Sequence, residues 1–154
     1  MFHFNHESVR TVDALTGAFL LARRSAIKEV GLLDERFFMY GEEIDWCKRF
    51  GIIGWEVVFY PQSKVIHFGG VSSSLAPIKN SISFYESQIE FWKKYYAKSH
   101  TSIYIIIIKF QQITRYLINF LFSFSKFKAR YYYYQKMKIN VSVLKWLFSQ
   151  NTFK

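Results

Sequence analysis

Residues 41–70, GEEIDWCKRFGIIGWEVVFYPQSKVIHFGG, constrain the fold most strongly, because they specify a helix, a turn and two strands in close succession. The acidic residues come first, and Lys48 and Arg49 come late, which is the charge order that complements a helix dipole. The β-branched and aromatic runs WEVVFYP and KVIHF follow, separated by a turn that contains proline. We therefore predict a helix over residues 42–50 that ends at Gly51, followed by two strands.

The flanking segments predict further regular elements. Residues 11–24 contain TGAFLLARR, an apolar run between a glycine and two arginines, which predicts a buried strand. Ser25 can cap a short helix that runs to Val30, and Gly31 can end it in a left-handed conformation. Residues 79–98 predict an amphipathic helix. Its apolar positions, spaced by three and four, are Ile82, Tyr85, Ile89, Trp92 and Tyr96.

Three carboxylates and a histidine in this region have the chemistry of a catalytic site. Helical geometry places Glu42, Asp45 and Arg49 on one face, and it rotates Glu43 away by about 100°. In the simpler interpretation, the glutamates only satisfy the helix amino terminus, while the aspartate pairs with the arginine on a solvated face. His67, at the end of a predicted strand, fits a hydrogen-bonded structural histidine or a metal ligand. The residues alone leave both interpretations open.

Four sequence blocks resemble successive parts of one protein family: TGAFLLARRSAIKEVGLLDERFF, YGEEIDWCKRFGIIGW, YPQSKVIHFGGVSS and the helix that contains SFYES and FWKKYY. They are similar to the second half of glycosyltransferase family 2, which has the GT-A fold, and especially to its rhamnosyltransferase-like branch. The matching region covers roughly residues 12–98. The resemblance implies an α/β protein with a partial GT-A domain over residues 1–98, lacking its amino-terminal Rossmann-like half. Amphipathic helices over residues 99–154 would follow.

The resemblance also implies a reaction and roles for individual residues. In that family the second acid of the pair removes a proton from the acceptor hydroxyl, and here that residue is Glu43. The acceptor site would include Glu42, Asp45 and Arg49. His67 would be a ligand of the Mg²⁺ or Mn²⁺ ion that clamps the donor diphosphate. The implied reaction transfers a sugar, with rhamnose as a candidate, from a nucleotide-diphosphate sugar to a glycan or lipid-linked glycan with inversion.

Two departures from the family pattern bear on activity. Glu43 stands where the family usually has aspartate, so its carboxylate reaches one methylene farther, and small displacements of catalytic groups are costly. The chain also contains no Asp-x-Asp motif, which the family carries upstream together with its nucleotide-binding strands. We therefore expect no transfer by this chain alone. It would be a catalytically inactive, membrane-associated remnant, or a half that assembles with a separately encoded amino-terminal half.

The carboxy-terminal residues predict contact with a membrane. Residues 103–124 are apolar, and a single polar stripe interrupts them, which suits a helix that lies in the plane of a bilayer better than one that crosses it. The stripe consists of Lys109, Gln112, Arg115, Asn119 and Ser123. A helix packed on the transferase core or on a partner is the alternative. The following KFKARYYYYQKMK interleaves cations with aromatic rings, as expected for adhesion to anionic headgroups.

Charge and cysteine content extend this interpretation. The net charge of +10 requires an anionic partner. Nucleic acid would fit the composition, but no nucleic-acid-binding fold signature accompanies it, so we rank it below a membrane surface. The single cysteine, Cys47, excludes an internal disulfide and favours a reducing compartment. The first ten residues lack the apolar core of a secretory signal. We therefore predict a cytoplasmic protein, peripheral on the inner face of the plasma membrane.

Overall fold

The computed structural model describes residues 6–69, 75–124 and 127–150, except for the side chains of residues 127 and 128. The chain divides into two compact units, residues 1–69 and 70–154. This division falls before the helix that the sequence analysis assigned to the transferase region, which was predicted to extend to residue 98. That helix packs with the tail helices, because its buried Tyr85 and Ile89 belong to their hydrophobic core.

The first unit consists of short elements joined by long irregular segments. Strand β1 (Arg10–Thr11) pairs antiparallel with β2 (Val58–Phe59), and two helices lie between them in sequence: α1 (Arg24–Val30) and α2 (Glu42–Ile52). The Val12 N–H donates to the Val57 carbonyl at 2.9 Å and extends the pairing by one residue. Within the described residues, this two-stranded ladder is the whole sheet. The protein is therefore mostly helical, and the GT-A fold remains a prediction.

Two of the predicted strands are wrong. The TGAFLLARR segment forms turns and extended backbone, and its Leu21 is 93% exposed rather than buried. The KVIHF segment is likewise unpaired, with Ile66 87% exposed. A strand needs a neighbour for its backbone N–H and C=O groups, and the described residues supply one only to β1 and β2. The end of the family-like segment, residues 70–74, lies outside the described residues.

The two predicted short helices form, with different ends. Helix α1 begins at Arg24, and no side chain caps it, so the predicted Ser25 cap is wrong. Its stop is confirmed, because Gly31 follows it with φ of 86°. Helix α2 passes through Gly51 and ends at Ile52, and the chain then turns at Gly54, whose φ of 89° suits glycine.

The second unit is a bundle of three long helices: α3 (Pro77–Tyr95), α4 (Lys98–Phe122) and α5 (Phe127–Ser149). Pro77 stands in the first turn of α3, where its missing N–H costs nothing. The core residues are Tyr85, Ile89, Ile105, Ile108, Val143 and Leu147. The predicted apolar face of α3 is confirmed, because Tyr85 and Ile89 belong to this core and Ile82 packs against it. The Trp92 ring continues the face and stacks on the Tyr104 ring, with the ring centres 4.6 Å apart. Tyr96 lies beyond the helix end.

Helices α4 and α5 form an antiparallel hairpin. In the middle of α4 the Lys109 ammonium lies 4.3 Å from the centre of the Phe148 ring, and at its end the Phe122 and Tyr133 rings stack at 5.5 Å. The polar stripe of α4 is solvated only in part, with Arg115 exposed. Gln112 is buried and Asn119 is half-buried, and both hydrogen-bond to Asn140 of α5. These two residues therefore pack against another helix of the predicted tail, whereas the stated alternative was packing on the transferase core or on a partner.

Candidate functional site

The predicted catalytic base, Glu43, lies in the first turn of α2. Its Oε2 accepts a hydrogen bond from the Gly41 N–H at 3.2 Å, and the residue is half-buried. Gly17, in the turn before α1, comes close: a Cβ at that position would lie 3.8 Å from the Glu43 Cβ. Unpaired N–H groups and the helix dipole favour negative charge at this end of a helix. The structure thus holds one carboxylate at the amino terminus of α2 against a glycine turn.

The neighbouring Glu42 contains an unsatisfied polar atom. Its Oε2 is buried and has no hydrogen-bond partner among the described residues. An unpaired buried oxygen of this kind costs about 1–3 kcal/mol, so native structures usually supply it with a donor, a water molecule or a ligand. Glu42 and Glu43 are therefore chemically distinct although they are adjacent. One carboxylate caps its own helix, and the other lacks a donor for one oxygen.

Asp45 and Arg49 form the ion pair that their spacing predicts, but inside the unit rather than on a solvated face. The Asp45 residue is 0% exposed, and the Arg49 Nε lies 2.8 Å from its Oδ2. The other two guanidinium nitrogens donate to the carbonyls of Val30 at 2.9 Å and Leu32 at 2.8 Å. The pair therefore ties α2 to the end of α1. Acceptor binding by these two residues stays a prediction.

Two tryptophans reinforce this connection. The Trp46 indole N–H donates to the Gly31 carbonyl at 2.9 Å, and the Trp55 indole N–H donates to Glu29 Oε2 at 3.0 Å. The sequence analysis treated both residues only as part of a family pattern. A tryptophan combines an apolar ring with one N–H donor. A tryptophan in a mainly apolar environment could therefore have indicated a side chain that hydrogen-bonds to a neighbouring element.

A cavity of about 600 Å³ lies beside these anchors, between the α1 and α2 helices and the segment that leads into β2. Its wall is mainly apolar and includes Trp46, Trp55 and the thiol of Cys47. Burial raises the pKa of the Cys47 thiol, and the Glu43 carboxylate adds to the rise, while a hydrogen bond from the Leu15 backbone opposes it. Cys47 is thus a buried packing group rather than a nucleophile.

His67 lies in the exposed segment that precedes residue 70. The described residues include no group of three or more His, Cys, Asp or Glu side chains that could hold a metal ion. One exposed imidazole does not make a Mg²⁺ or Mn²⁺ site, because such ions take several oxygen ligands. The residues present do not by themselves fit the implied metal, and metal binding by His67 stays a prediction.

Comparison with known proteins gives relatives of one kind. The chain is 40% identical over 80 residues to the N-acetylglucosaminyl-diphospho-decaprenol L-rhamnosyltransferase of Mycobacterium tuberculosis, across 52% of this chain and 26% of that protein. It is 37% identical over 57 residues to the rhamnosyltransferase WbbL of Escherichia coli, across 37% of this chain and 22% of that protein. No family model matches, and no solved structure matches.

These matches confirm the resemblance that the sequence blocks indicated, since the chain is similar to glycosyltransferases of the family 2 type. Within that class, the curated relatives are rhamnosyltransferases. The chain spans about a quarter of the length of these relatives.

Proposed function

We propose that this chain is the part of a rhamnosyltransferase that activates the acceptor hydroxyl. The observation that carries the proposal is the 40% identity, over 80 residues, to an enzyme named as an L-rhamnosyltransferase of N-acetylglucosaminyl-diphospho-decaprenol. The donor would be a nucleotide-diphosphate sugar, and the acceptor would be a glycan linked to a lipid diphosphate.

Glu43 is the proposed base. It removes the proton from the acceptor hydroxyl as that oxygen attacks the anomeric carbon, and the nucleotide diphosphate leaves from the opposite face. The bond to the acceptor oxygen forms as the bond to the diphosphate oxygen breaks, which inverts the anomeric centre. The bond from the Gly41 N–H fixes the Glu43 carboxylate while its remaining lone pairs can accept the proton.

The surrounding residues support this assignment in different ways. The unsatisfied Oε2 of Glu42 can accept a hydrogen bond from a second hydroxyl group of the sugar acceptor. That bond would remove the free-energy cost of leaving the oxygen unpaired. Asp45 and Arg49 are better suited to positioning, because their bonds lock α2 onto the end of α1 and so fix where Glu43 stands. A displacement of about 1 Å at a catalytic group can cost about 10²-fold in rate. We therefore propose Glu42 for acceptor contact and the ion pair for alignment.

The second unit is proposed to hold the chain on a membrane. The outward face of α4 is apolar along the helix, at spacings of three and four. Its exposed residues are Ile103, Ile106, Ile107, Phe110, Ile113, Leu117 and Leu121. Polar side chains turned inward and apolar side chains turned outward are the pattern of a helix in contact with lipid. Among the described residues, α4 is long and apolar enough to cross a bilayer.

Pairing with α5 favours an orientation in the membrane plane. A crossing α4 would carry α5 with it, because the two helices contact each other from the middle of α4, at Lys109, to its end at Phe122. Helix α5 contains the cations Arg130, Lys136, Lys138 and Lys145, which are costly in the hydrocarbon region. A hairpin lying flat places the α4 face in the acyl chains and leaves these cations at the headgroups.

A transfer assay tests the proposal. The full chain in mild detergent, alone and mixed with a separately expressed amino-terminal half of a relative, is given nucleotide-diphospho-rhamnose and a lipid-linked N-acetylglucosamine acceptor. We expect transfer only in the mixed arm, where Glu43→Gln abolishes it and the exposed control Glu35→Gln leaves it unchanged. Transfer that survives Glu43→Gln would exclude this residue as the base. If the folded wild-type chain supports no transfer in either arm, it is a non-catalytic membrane-bound subunit or remnant instead.

A further inference from the structure

The net positive charge of the protein arises from one part of the chain. Residues 91–154 contain twelve Lys and Arg residues and no Asp or Glu, whereas residues 1–90 contain nine cationic and eleven acidic residues. The second unit therefore has only Glu86 and Glu90 as carboxylate side chains, and Glu90 pairs with Lys93. A helical bundle with this imbalance lacks internal anions for most of its cations. Its anionic partner must come from outside the unit.

A buried chain of hydrogen bonds runs between the three helices of the second unit. Asn119 Nδ2 donates to Asn140 Oδ1 at 3.1 Å, and Asn140 Nδ2 donates to Gln112 Oε1 at 2.8 Å. Gln112 Nε2 then donates to the Tyr85 hydroxyl oxygen at 2.6 Å. The Arg115 guanidinium donates to the same oxygen at 3.3 Å. The Tyr85 oxygen thus accepts from two donors, and its own O–H is left to donate to a third group.

An open pocket of about 340 Å³ adjoins this chain of bonds. Its walls come from all three helices, with Ser81 and Tyr85 from α3, Arg115 from α4 and Lys136 from α5. The two cations form no ion pair with a carboxylate among the described residues. The pocket is therefore lined by two cationic side chains and by the Tyr85 hydroxyl, which can donate, whereas the Ser81 hydroxyl donates to the Pro77 carbonyl at 2.8 Å. Such a set of donors matches the oxygens of a phosphate group.

A purely structural role explains the amide chain but not the pocket. Interhelical amides alone would specify how the helices pack, and a similar apolar core would be about as stable. They would not need two cationic residues in the lining of one open cavity. Arg115 is also held by a bond to a hydroxyl rather than by a counter-ion, so its charge remains available to a ligand. The arrangement resembles a preorganised anion site, with the amides as its support.

We propose that this pocket binds a phosphate or diphosphate group, with Arg115 and Lys136 as its charged ligands and the Tyr85 hydroxyl as a neutral donor. The group can belong to a membrane lipid or be free in solution, since the chemistry is the same. This site lies in the second unit and does not depend on the proposed transfer reaction.

The test uses the full chain in mild detergent. Calorimetric titration with inorganic pyrophosphate measures the free anion, and flotation with phosphatidylcholine vesicles, with and without phosphatidic acid, measures the lipid-borne group. The test variant is Arg115→Gln with Lys136→Gln. The matched control, Lys138→Gln with Lys145→Gln, removes the same charge from α5 outside the pocket. A further variant, Tyr85→Phe, removes only the hydroxyl.

The pocket variant should weaken anion binding by about tenfold or more, and the control by less than about twofold. Tyr85→Phe should give an intermediate loss. If the pocket variant, but not the control, loses pyrophosphate binding, the site binds the free anion. If the pocket variant loses only its binding to vesicles with phosphatidic acid, the site binds a lipid headgroup. Equal weakening by pocket and control variants would overturn the proposal, because binding would then follow net charge alone. So would a folded wild-type chain, checked by its helical circular dichroism, that binds neither anion.

Discussion

The two compact units place their polar and apolar side chains in opposite ways. In the first unit the buried charges of Asp45 and Arg49 hold together short elements. In the second, neutral amides lie between long helices while a continuous apolar face of α4 remains exposed. A charged pair fixes one geometry, as a catalytic carboxylate requires, whereas an apolar exterior suits a lipid environment. We therefore propose catalytic chemistry for the first unit and membrane attachment for the second.

The largest expected effect is on the stability of the first unit. Arg49→Met leaves the Asp45 carboxylate buried without its partner, which should lower the free energy of unfolding by about 3–5 kcal/mol. Urea denaturation followed by tryptophan fluorescence measures it. The matched control is Arg36→Met, which breaks a more exposed pair with Asp34 and should cost about 0–1 kcal/mol. Equal losses in the two variants would mean that the buried pair does not organise this unit.

A smaller effect is expected from the amide chain of the second unit. Gln112→Ala should cost about 1–3 kcal/mol, because Asn140 and Tyr85 both lose a buried partner. Replacing both amides, with Gln112→Leu and Asn140→Leu, should restore much of that stability, because the amide left without its partner is then the half-buried Asn119 instead of the buried Asn140. Denaturation followed by helical circular dichroism measures both variants. A double variant that is less stable than the single one would show that the amides are needed for packing itself.

The membrane face can be tested with a matched pair of phenylalanines. Phe110 is 71% exposed on α4, and Phe68 is 78% exposed in the first unit. Phe110→Ser should weaken vesicle binding by about tenfold, because a phenylalanine side chain contributes about 1.5–3 kcal/mol when it leaves water. Phe68→Ser should leave binding unchanged. If the two variants lose binding equally, the apolar face of α4 has no special part in attachment.

The smallest expected effect concerns the reactivity of Cys47. Burial raises its pKa, so less thiolate is present at neutral pH in the folded chain than in the unfolded chain. Alkylation by iodoacetamide at pH 7 should therefore be several-fold slower in the native protein than in urea, and the difference should shrink as the pH rises. Glu43→Gln should speed the native reaction slightly, because it removes a nearby negative charge. Equal native and denatured rates would place the thiol in solvent.

The sequence predicted local structure better than pairing. Helices α1, α2 and α3 follow from charge order, glycine position and apolar spacing, which are properties of neighbouring residues. The strands predicted at TGAFLLARR and KVIHF did not form, because a strand depends on a partner that local sequence does not specify. Periodicity identified the polar stripe of α4, but whether Gln112 faces water or another helix depends on α5.

The candidate site was predictable in part for the same reason. The spacing of Asp45 and Arg49 predicted their ion pair, but its burial arises from the carbonyls at the end of α1, far away in sequence. The unsatisfied oxygen of Glu42 and the pocket around Arg115 required the three-dimensional arrangement. The role of Glu43 rests on resemblance, and the structure adds its position at the start of α2.

The central claim is that the Glu43 carboxylate is the base in sugar transfer. The most direct measurement is single-turnover rhamnosyl transfer to a lipid-linked acceptor by the wild type, Glu43→Gln and Glu43→Asp, with the complementary amino-terminal half supplied. We expect Glu43→Gln to lower the rate by about 10²-fold or more, while Glu43→Asp, which restores the usual residue of the family, keeps much of it. A Glu43→Gln rate equal to the wild-type rate would contradict the account, because the carboxylate would then be irrelevant to the reaction.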